Sequence, residues 1–208
     1  MKSLSVTRML PLFVFSSILF FSCQQPSKYE LSIQKERDQK NSEFKLIETS
    51  PLDSEKISDF DGLNYYDVDS TFRTIAIFEK NEKPDSIVMA TSTGEPRKGF
   101  KIGIAEFSIG EEDLSLSVYL LQTRKGLLDS TYYFIPFTDA TSGKESYPAG
   151  RYIDIHGPLN DNDTFTLDFN SAYNPYCNYS HRFSCPIPPK ENHLTFEIKA
   201  GEKMFHLN

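Results

Sequence analysis

Leu114-Ser115-Leu116-Ser117-Val118-Tyr119-Leu120 decides the fold. Apolar side chains recur at every second position, with Ser115, Ser117 and Tyr119 between them. That is the period of a half-buried strand. Gly99 to Ile109 precedes it and pairs with it across the turn Gly110-Glu111-Glu112-Asp113. Further upstream, Phe72–Phe78 and Ser86–Thr91 read as short β-prone runs separated by Asn81–Asp85, and Ser92–Lys98, with Gly94-Glu95-Pro96, as a hairpin turn. Downstream, Thr131–Thr138 is a strand, Arg151–His156 and Thr164–Asn170 form a hairpin over an acidic loop, and Leu194–Lys199 is a last short strand. Tyr29–Phe44 has helix-forming residues and no Pro or Gly, with Tyr29, Ile33 and Phe44 as a thin apolar stripe and Glu36 paired with Lys40. Such a helix is expected to pack loosely. The fold class is therefore mainly β: an antiparallel β-sheet domain, barrel or sandwich, with a helical N-terminal flank.

The chain has 208 residues, with 22 Lys+Arg against 29 Asp+Glu and a net charge of -7. An acidic chain without a basic block is a poor partner for nucleic acid, which needs clustered cations. Its 17 Phe and 11 Tyr supply a core despite modest aliphatic content. Lys2 and Arg8 precede 13 uncharged residues, Met9–Phe21, a run too short to span a bilayer and suited to an export signal. Phe20-Phe21-Ser22-Cys23 ends it and resembles a bacterial lipobox, although Phe20 stands where Leu is usual. The expected organisation is a signal peptide over 1–22, a lipidated tether and helix over 23–43, and a single β-rich domain over 44–208. Lipid on Cys23 would make this an exported, membrane-anchored lipoprotein of the cell envelope. Its acidic body would be repelled by anionic lipid.

Outside the reducing cytoplasm, Cys177 and Cys185 are most simply a disulfide. Buried free thiols or zinc are the alternatives, since His181 lies midway between them; a fourth ligand is missing. Asn160-Asp161-Asn162-Asp163 is oxygen-rich but lacks the Gly and Glu of a calcium loop and reads as a turn. Asp139 with Glu145 could form an acid/base pair. Neither a hydrolase or nucleotide motif nor a cofactor signature occurs, and no resident metal is implied. Arg151 shares the buried face of Ile153 and Ile155, so its guanidinium needs a carboxylate or a sheet margin.

Phe137-Thr138-Asp139-Ala140-Thr141-Ser142-Gly143, Tyr147-Pro148-Ala149-Gly150-Arg151-Tyr152 and Leu167-Asp168-Phe169-Asn170-Ser171-Ala172-Tyr173-Asn174-Pro175 stand in this order. Cys177, Cys185-Pro186-Ile187-Pro188-Pro189, Glu191-Asn192 and Ala200-Gly201-Glu202-Lys203 follow. Together they resemble the domain of unknown function 1684 family, from about Ser42 to the C-terminus. The resemblance includes both cysteines and excludes His181, which keeps a disulfide ahead of zinc; it implies almost nothing about activity. Within these motifs Gly150 permits a close backbone approach, and Thr141-Ser142-Gly143 suits a tight turn. Arg151, Asp168, Asn170, Tyr173, Asn174, Glu191 and Asn192 become the candidate ligand-binding residues, gathered at one end of the expected hairpin. Scaffolding explains the same residues about as well. Three readings follow: a lipid-anchored domain binding a small polar ligand or envelope partner, a hydrolase using Asp168 and Glu191 with Arg151, or an envelope protein without a small-molecule site.

Overall fold

The computed structural model describes residues 25–121 and 132–206. The expected signal segment and Cys23 lie outside them. Six strands form one sheet: β1 (Arg73–Met89), β2 (Arg97–Ile109), β3 (Glu112–Leu121), β4 (Tyr132–Phe137), β5 (Arg151–His156) and β6 (Thr164–Asp168). Their order is β5-β4-β3-β2-β1-β6, and every pairing is antiparallel. The sheet curls into a nearly closed barrel. Just beyond β6, Tyr173 exchanges backbone hydrogen bonds of 2.9 and 3.0 Å with Tyr152 of β5 and brings the two edges together.

The alternation in β3 places Leu116 and Val118 inside this barrel, with Ala76, Phe78, Ile135, Phe137, Ile153, Leu167 and Phe169. Its opposite face is not left to solvent. Ser117 and Tyr119 are also buried, and Tyr119 packs with Met89, Phe134 and Tyr152 in a second cluster. A third cluster joins Phe44 to Leu52, Phe60, Leu63 and Tyr179. Phe44 and Tyr179 meet edge to face with ring centroids 4.9 Å apart.

Several local expectations change. Arg151–His156 and Thr164–Asp168 are not a hairpin: β5 pairs with β4 and β6 with β1, at opposite ends of the strand order. Asn81–Asp85 does not separate two strands. It is an irregularity within β1 where the register to β2 shifts, and Pro84, which has no N–H to give a ladder, falls inside it. The period-two pattern of β6 stops at Asp168, because Phe169–Ser171 is a 3-10 turn capped by the Asp168 side chain. Leu194–Lys199 is not a strand. After backbone bonds between Leu194 and Thr138 and between Ala140 and Phe196, its polar groups turn to side chains instead.

Helix α1 (Lys28–Phe44) starts at a capping box in which Ser27 and Glu30 each bond the other's backbone N–H. It is held firmly, contrary to the loose packing expected of its thin stripe. The Tyr29 hydroxyl donates to Asp168, Arg37 Nη1 donates to the Tyr66 carbonyl at 2.9 Å, and Asn41 Oδ1 accepts from the Leu63 N–H at 2.9 Å. Lys40 pairs with Glu202 at 2.6 Å rather than with Glu36. The stripe Tyr29, Ile33, Arg37, Lys40, Phe44 is one helical face that mixes apolar and cationic anchors.

Gly150, which precedes β5, has φ +90°, and a Cβ there would stand 2.5 Å from the Phe137 carbonyl oxygen and 2.8 Å from Pro188. Gly94, in the β1–β2 turn, has φ +81° and open space around it. Gly150→Ala is expected to destabilise by about 2–4 kcal/mol, lowering Tm by roughly 5–10 °C, against about 1 kcal/mol for Gly94→Ala. Thermal melts of the two variants check this; equal shifts would remove the close approach from the account.

Candidate functional site

Arg151 enters the barrel interior because it shares the parity of Ile153 and Ile155. It is fully buried, and so is Asp139, whose Oδ1 accepts from Arg151 Nη2 at 3.2 Å. Nη2 also donates to the Ile198 carbonyl at 2.8 Å, and Nη1 donates to the carbonyls of Ala200 and Glu202. Asp139 Oδ2 accepts from the Ile198 N–H at 2.8 Å and from the Thr141 hydroxyl at 2.8 Å. Burial pulls the Arg151 pKa down and Asp139 opposes it. The pair therefore fastens the C-terminal segment across the barrel end, and neither group faces an open site. Asp139 has no acid/base partner in Glu145, which is exposed beside Lys199 at 3.8 Å. The Thr141-Ser142-Gly143 turn does form, with Gly143 at φ +80° and the Ser142 hydroxyl accepting from the Asp139 N–H.

The other candidate residues are placed by separate partners. Asp168 accepts from the Tyr29 hydroxyl and from the Asn170 N–H, with Arg73 at 3.7 Å. Burial, then Asp168, pushes the Tyr29 phenol up, so Tyr29 is the donor. Asn170 reads both backbone groups of Asp69, at 3.0 and 2.8 Å. Asn192, fully buried, accepts from the Ser117 N–H and donates to the carbonyls of Ser117 and Pro136. One amide thus completes the pairing of β3 and β4. Glu191 is exposed and accepts from the Tyr119 hydroxyl at 2.9 Å. Asn174 donates its N–H to Glu202 and its side chain to the Lys203 carbonyl. The Tyr173 hydroxyl donates to Asp154 at 2.6 Å.

Sequence reasoning missed Glu202 as the centre of this region. It is nearly fully buried and binds Lys40, the Asn174 N–H and the Tyr179 hydroxyl. Between α1 and the turn after β6 lies a cleft of about 180 Å³ lined by Arg37, Lys40, Tyr65, Asn170, Tyr173 and Glu202 among others. Of the seven candidates, Asn170 and Tyr173 line it. Arg151, Asp168, Asn174, Glu191 and Asn192 do not. Arg37 escaped notice because a basic residue on a polar helix looks solvated; its spacing of four from Ile33 was the available signal.

Cys177 and Cys185 are both free thiols, so the expected disulfide is not formed in this structure. The Cys177 N–H donates to Cys185 Sγ at 3.1 Å, and the Tyr147 hydroxyl is 3.8 Å from Cys177 Sγ. The loop between them is held by other means. The Ser92 N–H donates to the Cys185 carbonyl, the Ile187 N–H to the Ala90 carbonyl, and the Tyr152 hydroxyl to the Pro186 carbonyl. A separate thiol-to-thiol hydrogen bond lowers the Cys177 pKa to about 6 and pushes the Cys185 thiol up, against the smaller lowering effect of the Cys177 N–H on Cys185. His181 is exposed. No cluster of three or more His, Cys, Asp or Glu residues suited to a metal occurs among the described residues. Asn160–Asp163 is a turn: Asp163 accepts from the Asn160 N–H at 2.7 Å, and Asn162 has φ 60°.

An antiparallel near-barrel fastened by an internal ion pair is the class of domain these features define. Within that class the chain belongs to the family of proteins of unknown function DUF1684, which it matches over residues 58–203. It is also similar to the solution NMR structure of an uncharacterised protein of Haloarcula marismortui. The two share 36% identity and a TM-score of 0.65, over 84% of this chain and 94% of the other. No curated protein matches the chain at a significant level.

Removing one member of the Arg151–Asp139 pair leaves the other charge buried and uncompensated. Asp139→Asn and Arg151→Met are each expected to cost about 3–5 kcal/mol in urea unfolding, and the double variant less than the sum. Strict additivity would show that the two act independently. In the reduced protein, alkylation of Cys177 is expected to rise through a pH of about 6, following its thiolate, while Cys185 stays slow. Mass-spectrometric mapping at several pH values checks it; equal labelling of both thiols would contradict it.

Proposed function

We propose that this chain is exported, held at the cell envelope by lipid on Cys23, and binds a small polar ligand in the cleft beneath α1. The cleft carries the reading. It is a concave space walled by two cations, two phenols and a buried carboxylate, and Asn170 and Tyr173 of the family-like motif reach it. The anchor rests on the apolar run Met9–Phe21 ending at Ser22-Cys23. In an oxidising envelope, Cys177 and Cys185 would pass two protons and two electrons to a disulfide oxidant, which leaves as a dithiol, and close as a disulfide; their adjacency supports this. The hydrolase reading has no such support, because Arg151, Asp168 and Glu191 are each held by different partners.

Cys23→Ser is expected to abolish acylation, read as loss of incorporated lipid label; persistence of label would remove the anchor. Non-reducing peptide mapping of trapped, exported protein should link Cys177 to Cys185, and two trapped thiols would count against the bond. Ligand released from the purified full chain and identified by mass spectrometry should disappear in Ser171→Trp, which fills the cleft from its exposed rim. Absence of any ligand from both proteins would favour an envelope protein without a small-molecule site.

A further inference from the structure

Arg37 is 8% exposed, yet no ion pair to it occurs among the described residues. Its Nη1 is committed to the Tyr66 carbonyl, and its guanidinium lies over the Tyr65 ring at 4.4 Å. Nε and Nη2 are buried and have no hydrogen-bond partner. These two nitrogens form one edge of the guanidinium, and that edge presents two parallel N–H donors. It matches two oxygens on one carbon or phosphorus atom. A side chain this buried with such a fork unfilled is rare in a folded protein. Arg37 lines the cleft of about 180 Å³, a volume equal to about six water molecules in the liquid.

We infer that the cleft takes a small oxyanion, a carboxylate or a phosphate, held side-on by Nε and Nη2 of Arg37. This rests on the reading of the cleft as the ligand site and adds the chemical class of the ligand. Arg37 and Lys40 balance Glu36 and Glu202 around the cleft, so the attraction for an anion comes from the unfilled fork and not from net charge. Lys40 sits on the same helical face and brings a second positive charge, although its ammonium is engaged by Glu202 and lies over the Tyr173 ring at 4.8 Å. Glu202 also faces the cleft and would repel an anion, but Lys40, the Asn174 N–H and the Tyr179 hydroxyl already occupy its oxygens. Glu36 stands at the exposed rim. Burial pulls the Arg37 pKa down, opposed through space by Tyr65, Tyr29, Glu202 and Asp67. The guanidinium nevertheless stays charged. The edge has almost no exposed surface, so an anion in the cleft reaches it as the neighbouring side chains yield, and it then supplies the counter-charge that the fold omits.

The test uses the full chain in detergent, with sodium acetate and inorganic phosphate as separate probes and sodium chloride as the ionic-strength control. The Arg37 Nε–H resonance, assigned by its loss in Arg37→Lys, should shift saturably with at least one oxyanion and not with chloride. Arg37→Lys keeps the charge and removes the fork, so affinity, read in both proteins from the backbone amides that line the cleft, should fall tenfold or more. Phosphate binding should tighten as pH rises through its second ionisation near 6, whereas acetate binding should not; this separates the two classes. No saturable shift with either oxyanion, or equal affinity in Arg37→Lys, overturns the inference. A neutral or cationic ligand released from the wild type and lost in Ser171→Trp would also overturn it while leaving the cleft as the site. Failure of Ser171→Trp to alter any captured ligand would instead remove the cleft reading.

Discussion

A single buried guanidinium sets the last part of this fold. Arg151 donates to the carbonyls of Ile198, Ala200 and Glu202, and Asp139 returns a bond to the Ile198 N–H. From Ile198 to Ala200 the segment they hold crosses the barrel end without a strand partner, so these carbonyls would otherwise be buried unsatisfied. An unpaired cation here would cost several kcal/mol, which is why the carboxylate and three carbonyls must all be in place together. The arrangement also fixes register. A slip of the C-terminal segment by one residue would misplace every one of these acceptors. With the segment fixed, Glu202 is delivered to Lys40, and α1 is seated. The cleft is thus downstream of an ion pair that never touches it.

The same device recurs on a smaller scale. Asn192 stands in for a strand between β3 and β4, and Asn170 for a strand residue beside Asp69. An amide side chain carries one acceptor and two donors, so it can read both groups of a backbone edge. Polar residues gathered in the second half of a sequence are easily taken for a catalytic cluster. In this barrel most of them are substitutes for missing ladder bonds, which is the commoner use of a buried amide.

How far the sequence spoke depended on periodicity. β3 was legible because its apolar residues recur every second position, and β2 because a Gly-containing turn joins it to β3. The partnership of β5 with β6 was misread because neighbours in sequence usually pair, whereas β6 pairs with β1 and the chain meets β5 only just beyond β6, where the Tyr152–Tyr173 bridge closes the barrel. Arg151 was rightly placed on a buried face by parity, but its partner Asp139 lies in a turn, where no period operates. Arg37 was legible in principle from the stripe it shares with Ile33 and Phe44. A composition-based reading of α1 as a solvated helix hid it.

The geometry also limits what family membership conveys. Residues 58–203 match the family and contain the ion pair, Asn192, Tyr173 and Glu202. Arg37 and Lys40 precede that span, on a helix that the capping box and the Tyr29–Asp168 bond bring to the body. The body therefore supplies a carboxylate and phenols, and α1 supplies both cations. A body of this fold seated under a different flank would keep the Arg151–Asp139 pair but leave Glu202 buried without Lys40 and the cluster around Tyr179 without Phe44. The helix therefore contributes to the stability of the matched domain as well as walling the cleft.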